Sequence, residues 1–216
     1  MPSKLGADFV WRMEEVLDLY GEAYDPLRPQ VCIDERPCVL HADKLEPLPM
    51  KVGQPVRFDY EYERKGGCNL FMVFQPLVGW RQATVTARRT SIDFAYLLRD
   101  LVDVHFPEAT CVRVVLDNLN THSFAALYAT FPADEARRIA RKLAFHYTPK
   151  HGSWLNMVEI ELSVLVKQCL NRRIPDRDIL QREVTAWQNA RNAQHATVKW
   201  LFNVSDARTR LSRFYP

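Results

Sequence analysis

The sequence lacks several features that define specialised classes of protein. It has no apolar run of the roughly 18 residues that a membrane-spanning helix needs, no internal repeat and no low-complexity tract. Its 47% hydrophobic and 25% charged content is ordinary for a globular protein and unlike that of a disordered or fibrous chain. One compact enzyme domain in the cytoplasm, with no membrane partner, is therefore the expectation.

The cysteines also lack a pattern. There are five, an odd number, with no CxxC pair and no histidine at zinc-finger spacing. Disulfide frameworks and structural zinc sites are therefore not indicated, and reduced, mostly buried thiols are expected.

The net charge is small, but the charged residues are unevenly distributed. The net charge is +3, while residues 162–216 hold 10 Lys and Arg against 4 Asp and Glu. A basic flank of this kind either binds a polyanion, because Lys and Arg release counterions from phosphates, or forms a solvated helical face.

Hydrophobic periodicity and turn residues predict alternating helices and strands. The predicted strands are Gln30–Asp34 (ended by Pro37), 56–62, Cys68–Phe74, Trp80–Thr86, Val112–Leu116 and Leu143–Tyr147. The predicted helices are Phe9–Tyr20, one capped by Ser91 and reaching Phe106, 121–142, and one capped by Ser153 and reaching Leu170. Gly66 and Gly67 are expected to break the chain. This order predicts an α/β fold, a central mixed β-sheet with helices on both faces.

Two apolar strands each deliver an aspartate at their C-terminal end, Asp34 and Asp117. Ligand sites of open α/β sheets gather at such ends. Converging carboxylates repel unless a cation neutralises them, and hard divalent cations prefer oxygen ligands. Strand-end aspartates also serve as turn or capping residues, and that alternative stays open.

A third acid is expected from the helix after Ser153. Glu159 borders the apolar stripe of that helix, and Glu161 lies about 200° away around the axis, so both cannot serve one site. The stripe favours Glu159 only weakly.

Three motifs resemble, in order, the acidic motifs of mariner-type DDE transposases of bacterial insertion sequences. They are Cys32-Ile-Asp-Glu-Arg-Pro37, Leu116-Asp-Asn-Leu-Asn-Thr-His122 and His151-Gly-Ser-Trp-Leu-Asn-Met-Val-Glu-Ile-Glu161. Matched by motif position, Asp34, Asp117 and Glu159 are the three catalytic, metal-binding acids.

The resemblance implies a ribonuclease-H-like fold, two Mg²⁺ ions with Mn²⁺ as the alternative, and cleavage and joining of double-stranded DNA. The implied partners are transposon ends, a target at TA, and further copies of the chain. Residues 1–29 are then an N-terminal helix and linker, 30–170 the catalytic domain and 171–216 a basic helical extension packed on it. The family's usual N-terminal helix-turn-helix region has no room before Asp34, so we expect either that a separately encoded protein supplies it or that the element is truncated and inactive.

Nine further residues near these motifs are candidates for contacting DNA or for supporting the acids. Each also has a structural interpretation: Glu35 as a surface residue, Asn118 as a turn former, His122 as a helix-start residue and Trp154 as core. The candidates are Glu35, Asn118, His122, Lys150, Trp154, Asn156, Lys167, Arg172 and Arg173.

Two other functions remain open from the sequence. A nuclease of the same fold would use similar acids and cut without joining. A non-catalytic DNA-binding remnant of a transposase would keep the fold without the reaction.

Overall fold

The computed structural model describes residues 6–55, 57 and 59–215. The strands are β1 (Gln30–Asp43), β2 (Tyr62–Gln75), β3 (Trp80–Thr86), β4 (Val112–Leu116) and β5 (Leu143–Tyr147). The α-helices are α1 (Ala7–Gly21), α2 (Ser91–Asp100), α3 (Ala125–Thr130), α4 (Ala133–Arg141), α5 (Val158–Leu165), α6 (Arg177–Ala193) and α7 (Val204–Arg210). Short π-helical segments, Leu101–His105 and Val166–Leu170, continue α2 and α5. No helix in these ranges is long and apolar enough to cross a membrane.

The five strands form one sheet in the order β3-β2-β1-β4-β5. The pairs β1–β2 and β2–β3 are antiparallel, whereas the pairs β1–β4 and β4–β5 are parallel. All five residues of β4 are buried, as expected for a parallel strand covered on both faces. The predicted mixed sheet is confirmed.

Helices cover both faces of the sheet and enclose two apolar cores. One core joins residues of α1, α5, α6 and α7 to strand residues such as Cys32, Met72 and Val115. The other joins α2, α3 and α4 to the alternate residues Val31, Ile33 and Val114. Because successive strand residues point to opposite faces, neighbouring positions of β1 serve different cores.

Helix α6 also covers the free edge of β3. The side chain of Gln188 accepts a hydrogen bond from the backbone N–H of Ala83 at 2.6 Å, and Gln181 accepts one from Val85 at 2.8 Å. These bonds satisfy edge groups that would otherwise pair with another strand. The segment after residue 170 is therefore packed on the sheet, as α1 is at the other end of the chain. The division into 1–29, 30–170 and 171–216 stays a prediction, and residues 1–5 lie outside the described ranges.

Two strand boundaries were predicted wrongly. β1 does not end before Pro37 but continues to Asp43, with Pro37 opposite Asn69. It pairs with β4 only over Gln30–Cys32, so Pro37 lies in an edge stretch, where a missing N–H is tolerated. Gly66 does not break the chain either. It adopts φ +96° inside β2 beside a register shift, a β-bulge that glycine accommodates.

The predicted strand at 56–62 falls partly on Val56 and Phe58, which lie outside the described residues. The described strand begins at Tyr62.

Three helix boundaries also differ from the predictions. Thr90, not Ser91, caps α2 through a reciprocal capping box with Asp93. The helical stretch 121–142 is two helices, because Pro132 lies between them and has no N–H to continue the first. Ser153 opens a single 3₁₀ turn, and α5 begins only at Val158.

Candidate active site

Asp34 and Asp117 lie at the same level on neighbouring parallel strands. β1 and β4 pair Val31 with Val114 and Cys32 with Val115. Continued for two residues, this register places Asp34 beside Asp117 at the carboxyl end of β4. Adjacent strands are about 4.8 Å apart, so both carboxylates lie close together at the same end of the sheet.

The environment of Asp34 disfavours a negative charge. Burial raises its pKa to about 7, the hydrogen bond from the Glu35 backbone N–H opposes that rise, and the charges of Asp117, Glu35 and Glu159 add to it. The Glu35 N–H lies 2.8 Å from Asp34 Oδ1. The folded protein thus destabilises the anionic form of Asp34.

Glu159 faces Asp34 across a surface groove between β1 and α5. It is exposed and is the second residue of α5. The groove is lined by Asp34, Glu35, Arg36, Pro37, Glu159, Leu162, Ser163 and Val166. The structure therefore brings together Asp34, Asp117 and Glu159, the three acids expected from the sequence.

Buried hydrogen bonds fix the start of α5 against β1. Asn156 is 2% exposed, and its Nδ2 donates to the carbonyl of Ile33 at 2.9 Å. Tyr20 donates through its hydroxyl to the carbonyl of Leu155 at 2.7 Å. Asn156 is therefore committed to a bond beside Asp34, and the interpretation of Asn156 as a phosphate contact does not hold in this structure.

Glu161 does not line the groove, because its side chain is buried elsewhere. It is 0% exposed and lies between two arginines, with Oε1 3.0 Å from Arg81 Nε and 2.8 Å from Arg191 Nε. Arg191 also donates from a second nitrogen to Glu161 Oε2 at 3.0 Å. Of the two glutamates left open by helix geometry, Glu159 is the one that faces the groove.

Asp117 is bonded to a buried histidine. His122 Nδ1 lies 2.6 Å from Asp117 Oδ1, and His122 Nε2 lies 3.1 Å from Glu35 Oε2. The second contact is a close ion pair rather than a well-aligned hydrogen bond. Burial lowers the pKa of His122, but the contacts with Asp117 and Glu35 outweigh it and raise the pKa to about 9. Glu35 is therefore not a surface residue.

The three acids fit a hard divalent cation by their chemistry. All would offer carboxylate oxygens, the ligands that Mg²⁺ and Mn²⁺ prefer. The raised pKa of Asp34 reflects burial and an excess of negative charge that a cation would offset. Within residues 6–55, 57 and 59–215, no three Asp, Glu, His or Cys side chains stand close enough to enclose an ion as they are arranged. Asp34 and Glu159 line the groove, and Asp117 lies beside Asp34.

Three other predicted residues lie in the loops around the acids. Asn118 and Lys150 are exposed, and Asn118 lines a small hollow with Glu35 and Arg89. Trp154 is 39% exposed and stacks on Trp200, with ring centroids 6.3 Å apart. Trp154 thus packs on the protein with one side and offers the other to solvent.

The predicted basic residues after α5 differ in how freely they can move. Lys167 is exposed, and Arg172 is exposed and pairs with Glu183. Arg173 instead binds Asp43 at 2.6 Å, bonds two further backbone carbonyls and lies over Tyr62. Arg173 therefore anchors the chain between β1 and β2 and has little capacity left for a DNA phosphate.

Sequence reasoning missed two arginines at the rim of the site. Arg36 lines the groove beside Asp34, and Arg89 lies 3.6 Å from Glu35 with 53% of its side chain exposed. Arg36 stands inside the first acidic motif, which was the available signal. Arg89 follows β3 in the chain and becomes a neighbour only through the fold.

A mixed five-stranded sheet, with one acid inside its central strand β1 and a second directly after the neighbouring parallel strand β4, is the ribonuclease-H-like arrangement. The family model of the DDE superfamily endonucleases matches residues 29–181. The chain belongs to this family of DDE superfamily endonucleases. No match was found among curated protein sequences.

Solved structures of the Mos1 mariner transposase share the fold. The Mos1 mariner paired-end complex with Mn is 15% identical, with a TM-score of 0.58 over 88% of this chain and 56% of that one. The Mos1 strand transfer complex is 14% identical, with a TM-score of 0.60 over 88% and 55%. The Mos1 paired-end complex with Mg is 16% identical, with a TM-score of 0.56 over 99% and 62%. The chain thus spans somewhat more than half the length of these relatives, and the predicted ribonuclease-H-like fold is confirmed.

Proposed function

We propose that this chain is the catalytic domain of a DNA transposase, which cleaves double-stranded DNA at transposon ends and joins the freed end to a target. The observation that carries the proposal is the placement of Asp34 beside Asp117 with Glu159 across one groove. Membership of the DDE superfamily endonucleases supports the cleavage reaction. The structural likeness to a strand transfer complex favours joining as the second step.

The acids would hold two divalent ions, Mg²⁺ or Mn²⁺. Such ions stabilise the attacking and leaving oxygens of a phosphoryl transfer. Asp34 has both Asp117 and Glu159 as charged neighbours, which makes it the natural shared ligand. The protein's own contribution is to hold these carboxylates on a rigid strand, a strand end and a pinned helix, so that little ordering is needed when substrate binds.

Paired transposon ends, a TA target and further copies of this chain are the proposed partners. The paired-end state of the Mos1 complexes is the support for the first and last of these. A helix-turn-helix module is the proposed reader of the end sequence. The proposed setting is the cytoplasm, in association with the nucleoid.

DNA phosphates would meet the exposed cations and amides around the groove. Lys150, Lys167 and Arg172 are the exposed basic candidates, and Asn118 adds an amide at the rim. Half to two-thirds of protein–DNA hydrogen bonds go to phosphate and sugar, and they fix the register of the duplex without reading its sequence. Trp154, which is partly exposed, offers a ring face to a base.

The test is cleavage of a labelled duplex that carries the element end, with Mg²⁺ or Mn²⁺. Asp34→Asn, Asp117→Asn and Glu159→Gln should each abolish cleavage and keep the fold, while Glu108→Gln, at an exposed acid outside the groove, should keep activity. Cleavage by any of the three variants contradicts that residue's assignment. Cleavage without joining identifies a nuclease, and DNA binding without cleavage by the wild type identifies a remnant.

A further inference from the structure

Two side chains that solvent hardly reaches lie on the interior side of Asp117. Its own side chain is 34% exposed, whereas those of His122 and Glu35 are 1% and 2% exposed. The candidate ligand thus stands at the surface of the site, and the pair behind it belongs to the protein interior.

The ring of His122 is fixed on both edges and on one face. Nδ1 lies 2.6 Å from Asp117 Oδ1 and Nε2 lies 3.1 Å from Glu35 Oε2. The ring packs on Phe94, with centroids 4.6 Å apart and planes 35° apart. Tyr147 donates through its hydroxyl to the His122 carbonyl at 2.7 Å, which holds the backbone of the loop.

This geometry excludes two other roles for His122, as a metal ligand and as a phosphate contact. A metal ligand needs a free ring nitrogen, and both nitrogens face carboxylates. A phosphate contact needs exposure, and the ring has almost none. What remains is an action on Asp117: an ionised carboxylate only accepts hydrogen bonds, so Nδ1–H donates to Oδ1 and does not occupy Oδ2.

Glu35 is in turn held between His122 and Arg89. Its Oε2 faces His122, and its Oε1 lies 3.6 Å from Arg89. Asp34, the preceding residue, points to the opposite face of β1 and lines the groove. Two successive residues of β1 thus supply a proposed ligand on one face of the sheet and the support for a second ligand on the other face.

We propose that Glu35 and His122 are positioning residues, which fix the carboxylate of Asp117 so that one oxygen stays oriented toward a divalent cation. This inference rests on the proposed function. Partners behind metal ligands of this kind change metal affinity by about 10- to 100-fold when they are removed.

The experiment measures Mn²⁺ binding to the DNA-free protein by electron paramagnetic resonance. His122→Ala should weaken binding by about 10- to 100-fold. His122→Asn keeps a donor near the position of Nδ1 and should bind more tightly than His122→Gln, which keeps one near Nε2. His105→Ala is the matched control, because His105 packs on Trp80 at the start of β3, with ring centroids 5.0 Å apart, and it should bind as wild type.

The outcomes separate this inference from the proposed function. Binding that is lost in Asp34→Asn but unchanged in His122→Ala overturns the positioning role and leaves the proposed function standing. Unchanged binding in both variants overturns both. If circular dichroism shows that His122→Ala is unfolded, the Asn and Gln variants decide: tighter binding by Asn supports the role, and equal binding overturns it.

Discussion

Replacing Glu161 by Gln should destabilise the protein strongly without touching the groove. Glu161 and Arg81 are both 0% exposed and form an ion pair, and Arg191 completes the cluster at 19% exposure. The substitution keeps the shape of the side chain and removes its charge. It leaves two guanidinium groups facing each other in the interior without their shared anion.

The size of the loss in folding free energy depends on the hydrogen bonds that each arginine keeps. Breaking a buried ion pair from one side costs about 3–5 kcal/mol. Arg81 still donates to Asn192 Oδ1 and to the carbonyl of Ala196 at 2.6 Å, and Arg191 can turn toward water. These remaining contacts favour the lower end, about 3 kcal/mol. For a domain of this size that loss lowers the melting temperature by about 6–12 °C.

Urea denaturation followed by circular dichroism measures the change, with Glu159→Gln as the matched control two residues earlier on the same helix. The control should keep wild-type stability, because Glu159 is exposed and its neighbours are also acids. A loss below about 1 kcal/mol for Glu161→Gln would show that the cluster does not depend on its anion.

Three further predictions concern other parts of the molecule. Gly79→Ala should cost at least about 2 kcal/mol in thermal denaturation, because Gly79 has φ +69° and an added Cβ would lie 2.5 Å from the His195 backbone. Arg138→Ala should cost less than about 1 kcal/mol at neutral pH, since both partners are partly exposed. Its hydrogen bond lowers the pKa of Asp103, so this contribution is present above the ordinary pKa and is lost as pH falls through the lowered value. Denaturation of both proteins over a pH series that falls from neutral through the ordinary pKa of Asp, about 3.9, checks this. DNA affinity should fall steeply with salt, and Arg172→Ala should reduce the slope by about 1, whereas Arg173→Ala should not.

Local patterns predicted those elements whose boundaries depend on their own residues. β3, β4 and β5 have the predicted bounds, because each is a short strand flanked by turn or polar residues. Pro37 and Gly66 misled the prediction, because each usually ends a strand. Here Pro37 lies on an edge stretch and Gly66 sits in a bulge, and both facts depend on which strands are neighbours.

The candidate site shows the same limit. Asp34 and Asp117 lie beside each other as expected, although Asp34 lies inside β1 rather than at its end. Helix geometry alone did not separate Glu159 from Glu161. Arg81, which lies on β3 far away in the sequence, buries Glu161 and so separates them. The contacts of Glu35 with His122 are equally long in range, so no local pattern contains them.

The most direct test of the three-acid site is anomalous diffraction from crystals soaked in Mn²⁺. We expect an anomalous peak at bonding distance from carboxylate oxygens of Asp34 and of Asp117 or Glu159, with Glu161 still bound to Arg81. A peak coordinated by other residues, or no peak at these acids at a Mn²⁺ concentration that supports DNA cleavage, would contradict it.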